Sequence, residues 1–163
     1  MSNKESNLIL IIDFGSQYTQ LIARRVRESG VYSVVKSNNI SKNEFFKLKP
    51  KGIILSGGPE SVSSTKIHKL SGFILESGVP ILGICYGMQL ITHYFKGKVS
   101  LSAKKEFGHS TFKITKSSKL FNSLNKKIKL KVWMSHSDKV SKLPVGFETL
   151  GSSDNTKIAA ISD

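Results

Sequence analysis

Pro80-Ile-Leu-Gly-Ile-Cys-Tyr-Gly-Met-Gln-Leu90 changes character half-way along. Pro80–Ile84 is a short apolar run bounded by a proline, the pattern of a fully buried strand. From Met88 to Phe95 the apolar residues recur at helical spacing, and Gly97 ends the pattern. Between them stands Gly83-Ile84-Cys85-Tyr86-Gly87, a glycine-bounded nucleophile position at a strand-to-helix junction. A turn that sharp forces its central residue into strained backbone, and the flanking glycines remove side chains that would collide. The following helix would aim its first amides and its dipole at the thiol, which is expected to lower the thiol pKa. That matters because an ordinary cysteine is only about 3% thiolate at neutral pH.

The same strand-then-helix grammar runs back to the N-terminus. Leu8–Ile12 reads as a buried strand, and Tyr18–Ser29 as a helix with Leu21, Ile22 and Val26 on one face and Gly30 at its end. Val31–Val35 is a second strand. Ser41-Lys-Asn-Glu44 has the form of a capping box opening a short helix that stops before Pro50. Gly52–Leu55 is a third strand, followed by Gly57-Gly58-Pro59, and His68–Ser77 reads as a helix closed by Gly78. Four such alternations predict an α/β fold, a mostly parallel sheet with helices on both faces. Beyond Gly97 the pattern shifts. Thr111–Thr115, Ile128–Trp133, Phe147–Leu150 and Ile158–Ile161 are short strand-like runs between polar turns, an expected antiparallel extension. No repeat, low-complexity linker or compositional break divides the 163 residues, which read as one domain.

Leu55-Ser56-Gly57-Gly58-Pro59-Glu60 closes the third strand. In open α/β sheets ligands gather beyond the carboxyl ends of the strands, so this loop should face the cysteine turn. A glycine there can offer a bare backbone N–H to a developing oxyanion, together with the N–H of Tyr86. No Gly-Lys-Ser/Thr follows, so the loop is not a P-loop.

Composition narrows the function. The longest apolar run is Leu8–Ile12, far short of the ~18 residues of a membrane span, and the N-terminal MSNKES is unlike a secretory signal. One cysteine allows no intrachain disulfide, and the expected setting is a reducing cytoplasm without membrane association. The net charge of +14 rests on 25 basic residues of which only Arg24, Arg25 and Arg27 are arginine. Scattered lysines without a basic stripe argue for a solvated surface rather than a nucleic-acid reader.

Four segments together carry a resemblance. Asp13-Phe-Gly-Ser-Gln-Tyr-Thr-Gln-Leu-Ile-Ala-Arg-Arg-Val-Arg-Glu28, Gly52-Ile-Ile-Leu-Ser-Gly-Gly-Pro-Glu-Ser61, Gly83-Ile-Cys-Tyr-Gly-Met-Gln89 and Val132-Trp-Met-Ser-His-Ser-Asp138 resemble the class I glutamine amidotransferase domain of GMP synthetase. The resemblance covers nearly the whole chain and implies a flavodoxin-like amidotransferase fold. It implies Cys85 as nucleophile, with the backbone N–H groups of Gly58 and Tyr86 as oxyanion hole. Gln89, Ser135, Ser137 and Asp138 would hold glutamine. No cofactor is implied for this domain. ATP and Mg2+ belong to an ATP-pyrophosphatase (synthetase) domain or subunit, the implied partner, which aminates XMP to GMP with the released ammonia.

Two departures stand out. Position 137 is Ser where the family pattern has Gly, a cost if that backbone needs positive φ. The family's base and orienting acid lie in a His-Pro-Glu motif expected past Asp163, and no His-x-Glu occurs within these residues. The domain therefore reads as C-terminally incomplete, and the chain alone as weak or inactive. The alternatives are a non-catalytic module that binds glutamine or a partner, and a peptidase-like cysteine enzyme on the same fold. His68 and His93 read as surface or capping residues of predicted helices, His109 as part of a loop, His136 as a positioning residue, and Trp133 and Met134 as core packing.

Overall fold

A computed structural model of the chain describes residues 7–62, 70–124 and 128–163, and excludes the side chains of 103–106 and 136. Contacts divide it into two compact units, Met1–Ile91 and Thr92–Asp163. The division falls inside one helix, which explains why no linker composition announces it.

The first unit holds β1 (Ile9–Asp13), α1 (Thr19–Glu28), β2 (Ser33–Ser37), α2 (Lys42–Leu48), β3 (Gly52–Leu55), α3 (Gly72–Leu75) and β4 (Ile81–Gly83), and α4 (Tyr86–Tyr94) begins there. The strands form a parallel sheet in the order β2-β1-β3-β4. Leu10, Ile11, Ile12, Ile53 and Leu55 are buried, as expected for strands covered on both faces. Each such side chain contributes about 1.5–3 kcal/mol on leaving water. The chain turns one way from β1 to β2 and the other way from β3 to β4. Because parallel crossovers are right-handed, α1 lies on one face, and α2 and α3 lie on the other. Phe45 and Phe46 of α2 accordingly pack on Phe73 of α3, with ring centroids 5.5 and 6.4 Å apart.

The serine cap acts as read, whereas Leu21, expected on the apolar face of α1, is exposed, and Thr19 and Ala23 are the buried residues of that helix. The Ser41 hydroxyl accepts a hydrogen bond from the Glu44 N–H at 3.2 Å, capping α2. Arg24 and Arg25 both pair with Glu28 on an exposed face of α1, and these bonds hold the Glu28 carboxyl below its usual range. His68 lies outside the described residues, and the helix expected over His68–Ser77 is shorter: it spans Gly72–Leu75, because Ser71 before it is extended.

The second unit is antiparallel. β5 (Lys98–Ile114), β6 (Leu130–Lys142), β7 (Glu148–Ser153) and β8 (Ala160–Ser162) form a sheet in the order β6-β5-β7-β8. β5 and β6 are far longer than the runs Thr111–Thr115 and Ile128–Trp133. They alternate between a buried face carrying Phe112, Ile114 and Val140 and a face carrying Phe107, His109 and Trp133. Trp133 is 61% exposed and stands edge-on to His109, with centroids 5.1 Å apart. The expectations of a core Trp133 and of His109 in a loop are thus corrected: both sit on the open face of a strand pair.

Candidate active site

Three loops leave the carboxyl ends of β1, β3 and β4, and the directions of the chain part between β1 and β3. That parting is where ligands bind in open α/β sheets. Cys85, between β4 and α4, has φ +50°, a left-handed conformation rare for a residue with a side chain. Its neighbours explain how it is held. A methyl on Gly83 would lie 2.6 Å from the backbone of Gly87 and Met88, and one on Gly87 only 2.4 Å from the Leu55 carbonyl oxygen. The start of α4 is thus pressed against the ends of both β4 and β3, as the glycine-bounded reading required. The helix starts at Tyr86, two residues earlier than its apolar spacing indicated, because the elbow passes into it directly.

The loop after β3 lies against this turn. A methyl on Gly58 would meet the Phe14 carbonyl oxygen at 3.0 Å and the Tyr86 ring at 3.1 Å. The Gly58 amide has no acceptor among the described residues. Phe14 and Tyr86 close the floor edge to face, centroids 5.7 Å apart, both almost fully buried.

Ser56, fully buried, joins all three loops. Its hydroxyl accepts from the Phe14 N–H at 3.1 Å and donates to the Gly57 carbonyl at 2.8 Å, while its own carbonyl accepts from the Gly87 N–H at 3.1 Å. Nothing in the sequence reading singled it out, since one Ser beside a glycine pair looks like turn chemistry. Replacing Ser56 by Ala removes both bonds of its hydroxyl, to the Phe14 N–H and to the Gly57 carbonyl, which costs about 1–3 kcal/mol at roughly 0.5–1.5 kcal/mol for each. Urea unfolding of the S56A chain checks this, and an unchanged midpoint would dismiss the clamp.

Phe14 on the loop after β1 is a further residue of this junction that the reading did not isolate, although its segment carried the family resemblance. Asp13 Oδ1 accepts from the Gly15 N–H at 2.9 Å and from the Thr19 hydroxyl at 2.7 Å, which fixes that loop.

Burial pushes the Cys85 thiol above its ordinary pKa. This reverses the lowering expected from the helix N-terminus. Loss of water around the buried sulfur disfavours its charged form.

Gln89 lies one turn into α4, buried, and its N–H donates to the Cys85 carbonyl at 3.1 Å. Cys85, Gly58, Tyr86 and Gln89 all belong to the first unit. Ser135, Ser137 and Asp138 stand on β6 in the second. Ser135 is exposed and opposite Phe107, while Asp138 is buried and opposite Leu101. Ser137 sits at the irregularity between those pairings. Positive φ among described non-glycine residues occurs at Lys49, Cys85 and Lys96, so Ser137 does not bear that strain.

The family model for class I glutamine amidotransferases matches residues 10–163. This chain belongs to the class I glutamine amidotransferase family. The amidotransferase chain is 53% identical over 148 residues to a Campylobacter jejuni GMP synthase (glutamine-hydrolyzing), and 45% identical over 168 residues to one from Mannheimia succiniciproducens. These alignments take in 91% and 100% of this chain but only 29% and 32% of those relatives, so the chain spans less than a third of their length. Among solved structures, a Thermoplasma acidophilum protein assigned to GMP synthase superposes with a TM-score of 0.85 at 29% identity, covering 96% of this chain and 77% of that one. A Thermotoga maritima glutamine amidotransferase shares the fold, with a TM-score of 0.74 at 18% identity over 96% of this chain and 71% of its own. Among the described residues, no helix is long and apolar enough to cross a membrane.

Proposed function

We propose that this amidotransferase hydrolyses glutamine at Cys85 and supplies ammonia for the amination of XMP to GMP. The observation that carries the proposal is the left-handed cysteine pinned between close-packed glycines, with the acceptor-free Gly58 amide on the neighbouring loop. The Cys85 thiolate attacks the carboxamide carbon of glutamine, and the carbonyl oxygen becomes an oxyanion held by the Gly58 and Tyr86 N–H groups. The carbon–nitrogen bond breaks as the nitrogen takes up the proton that the Cys85 thiol gave up, and it leaves as ammonia. Water then attacks the γ-glutamyl thioester, releasing glutamate and regenerating the thiol. Gln89, Ser135, Ser137 and Asp138 are the proposed contacts that hold glutamine, supported by the family resemblance of their two motifs. The chemistry at Cys85 uses no cofactor. ATP and Mg2+ would serve a synthetase domain or subunit, which receives the ammonia in a cytoplasmic pathway.

The raised thiol pKa favours one competing reading, glutamine or partner binding without turnover. A diazo-ketone analogue of glutamine tests the main proposal. It is expected to modify Cys85 alone, by mass spectrometry, at a rate that saturates with analogue concentration and is slowed by glutamine. Labelling without saturation or glutamine protection would mean an unspecialised thiol. Saturable labelling combined with no glutamate release from glutamine would support the binding module.

A further inference from the structure

We propose that Ser16 is a substrate-contacting residue, donating a hydrogen bond from its hydroxyl to an oxygen acceptor of bound glutamine outside the oxyanion hole. The inference rests on the reading of Cys85 as a glutamine site. Its starting point is Gly57. A methyl built there would touch Ser16 Oγ at 3.4 Å, Ser16 Cβ at 3.7 Å and Cys85 Cβ at 3.8 Å. All three are ordinary van der Waals distances, so no steric clash explains the glycine. Its missing side chain leaves one gap that the serine hydroxyl and the cysteine share.

The hydroxyl is fixed from behind. Ser16 Oγ accepts the Tyr18 N–H at 3.1 Å, and the Ser16 carbonyl accepts the Thr19 N–H at 3.2 Å. Asp13 holds the same loop through Gly15 and Thr19. The oxygen has thus used one lone pair on its own backbone, while its proton has no acceptor among the described residues. A donor placed in advance, next to the reacting thiol, suits an acceptor that arrives with the substrate. The reacting oxygen already has two backbone donors in Gly58 and Tyr86. The Ser16 proton therefore serves another oxygen of glutamine, and its bond exists in the ground state as well as in the transition state.

A contact of that kind changes binding and leaves the chemical step alone. The 163-residue chain and its S16A and S16T variants are compared by inactivation with the diazo-ketone analogue, giving a half-saturating concentration and a maximal rate. S16A is expected to raise the half-saturating concentration roughly ten- to a hundredfold, the range for a hydrogen bond to a charged group. Its maximal rate and labelling by iodoacetamide should match the parent, and S16T should restore most of the affinity. A second variant, G57A, fills the shared gap. It should abolish saturable labelling while iodoacetamide still reaches Cys85. An unchanged half-saturating concentration in S16A overturns the proposal, as does a fall confined to the maximal rate, which would move Ser16 to the oxyanion. If the parent shows no saturable labelling, the glutamine reading fails first and this inference falls with it. Saturable labelling of the parent with S16A indistinguishable from it sinks Ser16 alone.

Discussion

A methyl group on Gly87 is expected to dismantle the turn that carries Cys85, with loss of stability and of selective labelling together. The added carbon would lie 2.4 Å from the Leu55 carbonyl oxygen, 2.7 Å from Leu55 Cβ and 2.9 Å from the Leu55 carbonyl carbon. None of these atoms can retreat cheaply. Leu55 is completely buried, and its carbonyl already accepts the Ile84 N–H at 2.9 Å. Moving α4 away instead would break the bond from the Gly87 N–H to the Ser56 carbonyl and loosen the three-loop junction. Overpacking a core typically costs about 1–3 kcal/mol, and a clash with backbone on a buried strand should reach the top of that range. Against a total stability of ~5–15 kcal/mol this is a large fraction. Labelling by the glutamine analogue should fall at least a hundredfold, since a displacement of ~1 Å near reacting atoms has that effect.

A control separates the turn from general weakening. Gly146 has φ +84° and open space around it, so G146A suffers only left-handed strain of roughly 1–2 kcal/mol. It should lose some stability and keep parental labelling. If G87A unfolds at the same urea concentration as the parent and labels at the same rate, the close approach of α4 to β3 has no functional meaning.

The contrast between these glycines shows what a sequence can reveal. Gly83 and Gly87 announced themselves, because a lone cysteine between two glycines at a strand-to-helix change has few other physical explanations. The parallel strands were legible for a similar reason. A strand buried on both faces is an uninterrupted apolar run, and β3 occupies the residues that its run marked, Gly52–Leu55. β5 and β6 were read as fragments because one face of each is open. Lysines and serines alternate there with buried residues, and Gly108 interrupts β5 with φ +103°. Trp133 was misjudged by its chemistry. Large aromatics are mostly buried, and only the strand alternation reveals that Trp133 shares a face with exposed Phe107. The roles of Ser16 and Ser56 were invisible for a different reason. Each depends on bonds or contacts with residues about 40 to 70 positions away, which no local pattern encodes.

The thiol itself supplies the last expected result, because two physical effects act on it with opposite sign. The N-terminus of α4 favours the thiolate, and burial favours the thiol. Burial raises the Cys85 pKa above its ordinary value. The thiolate is the reacting species, and a free thiol of pKa ~8.5 is only about 3% ionised at pH 7. Raising the pKa lowers that fraction further, so iodoacetamide should modify Cys85 more slowly at pH 7 than it modifies free cysteine. The logarithm of the rate should keep climbing with pH after free cysteine has levelled off. Unfolding the chain in urea should return the profile to that of an ordinary thiol. Linkage gives the same sign for stability. Between the unfolded and folded pKa values the folded state holds the extra proton, so stability falls as pH rises through that window. Such a thiol rests protonated, and is slow to oxidise until a base takes its proton. This is compatible with turnover only if substrate binding or a positioned base activates it. The glutamine analogue should therefore label Cys85 at pH 7 far faster than iodoacetamide does, relative to each reagent's rate with free cysteine. A plateau in the iodoacetamide profile below pH ~8.5 would reverse this direction, making the helix N-terminus stronger than burial.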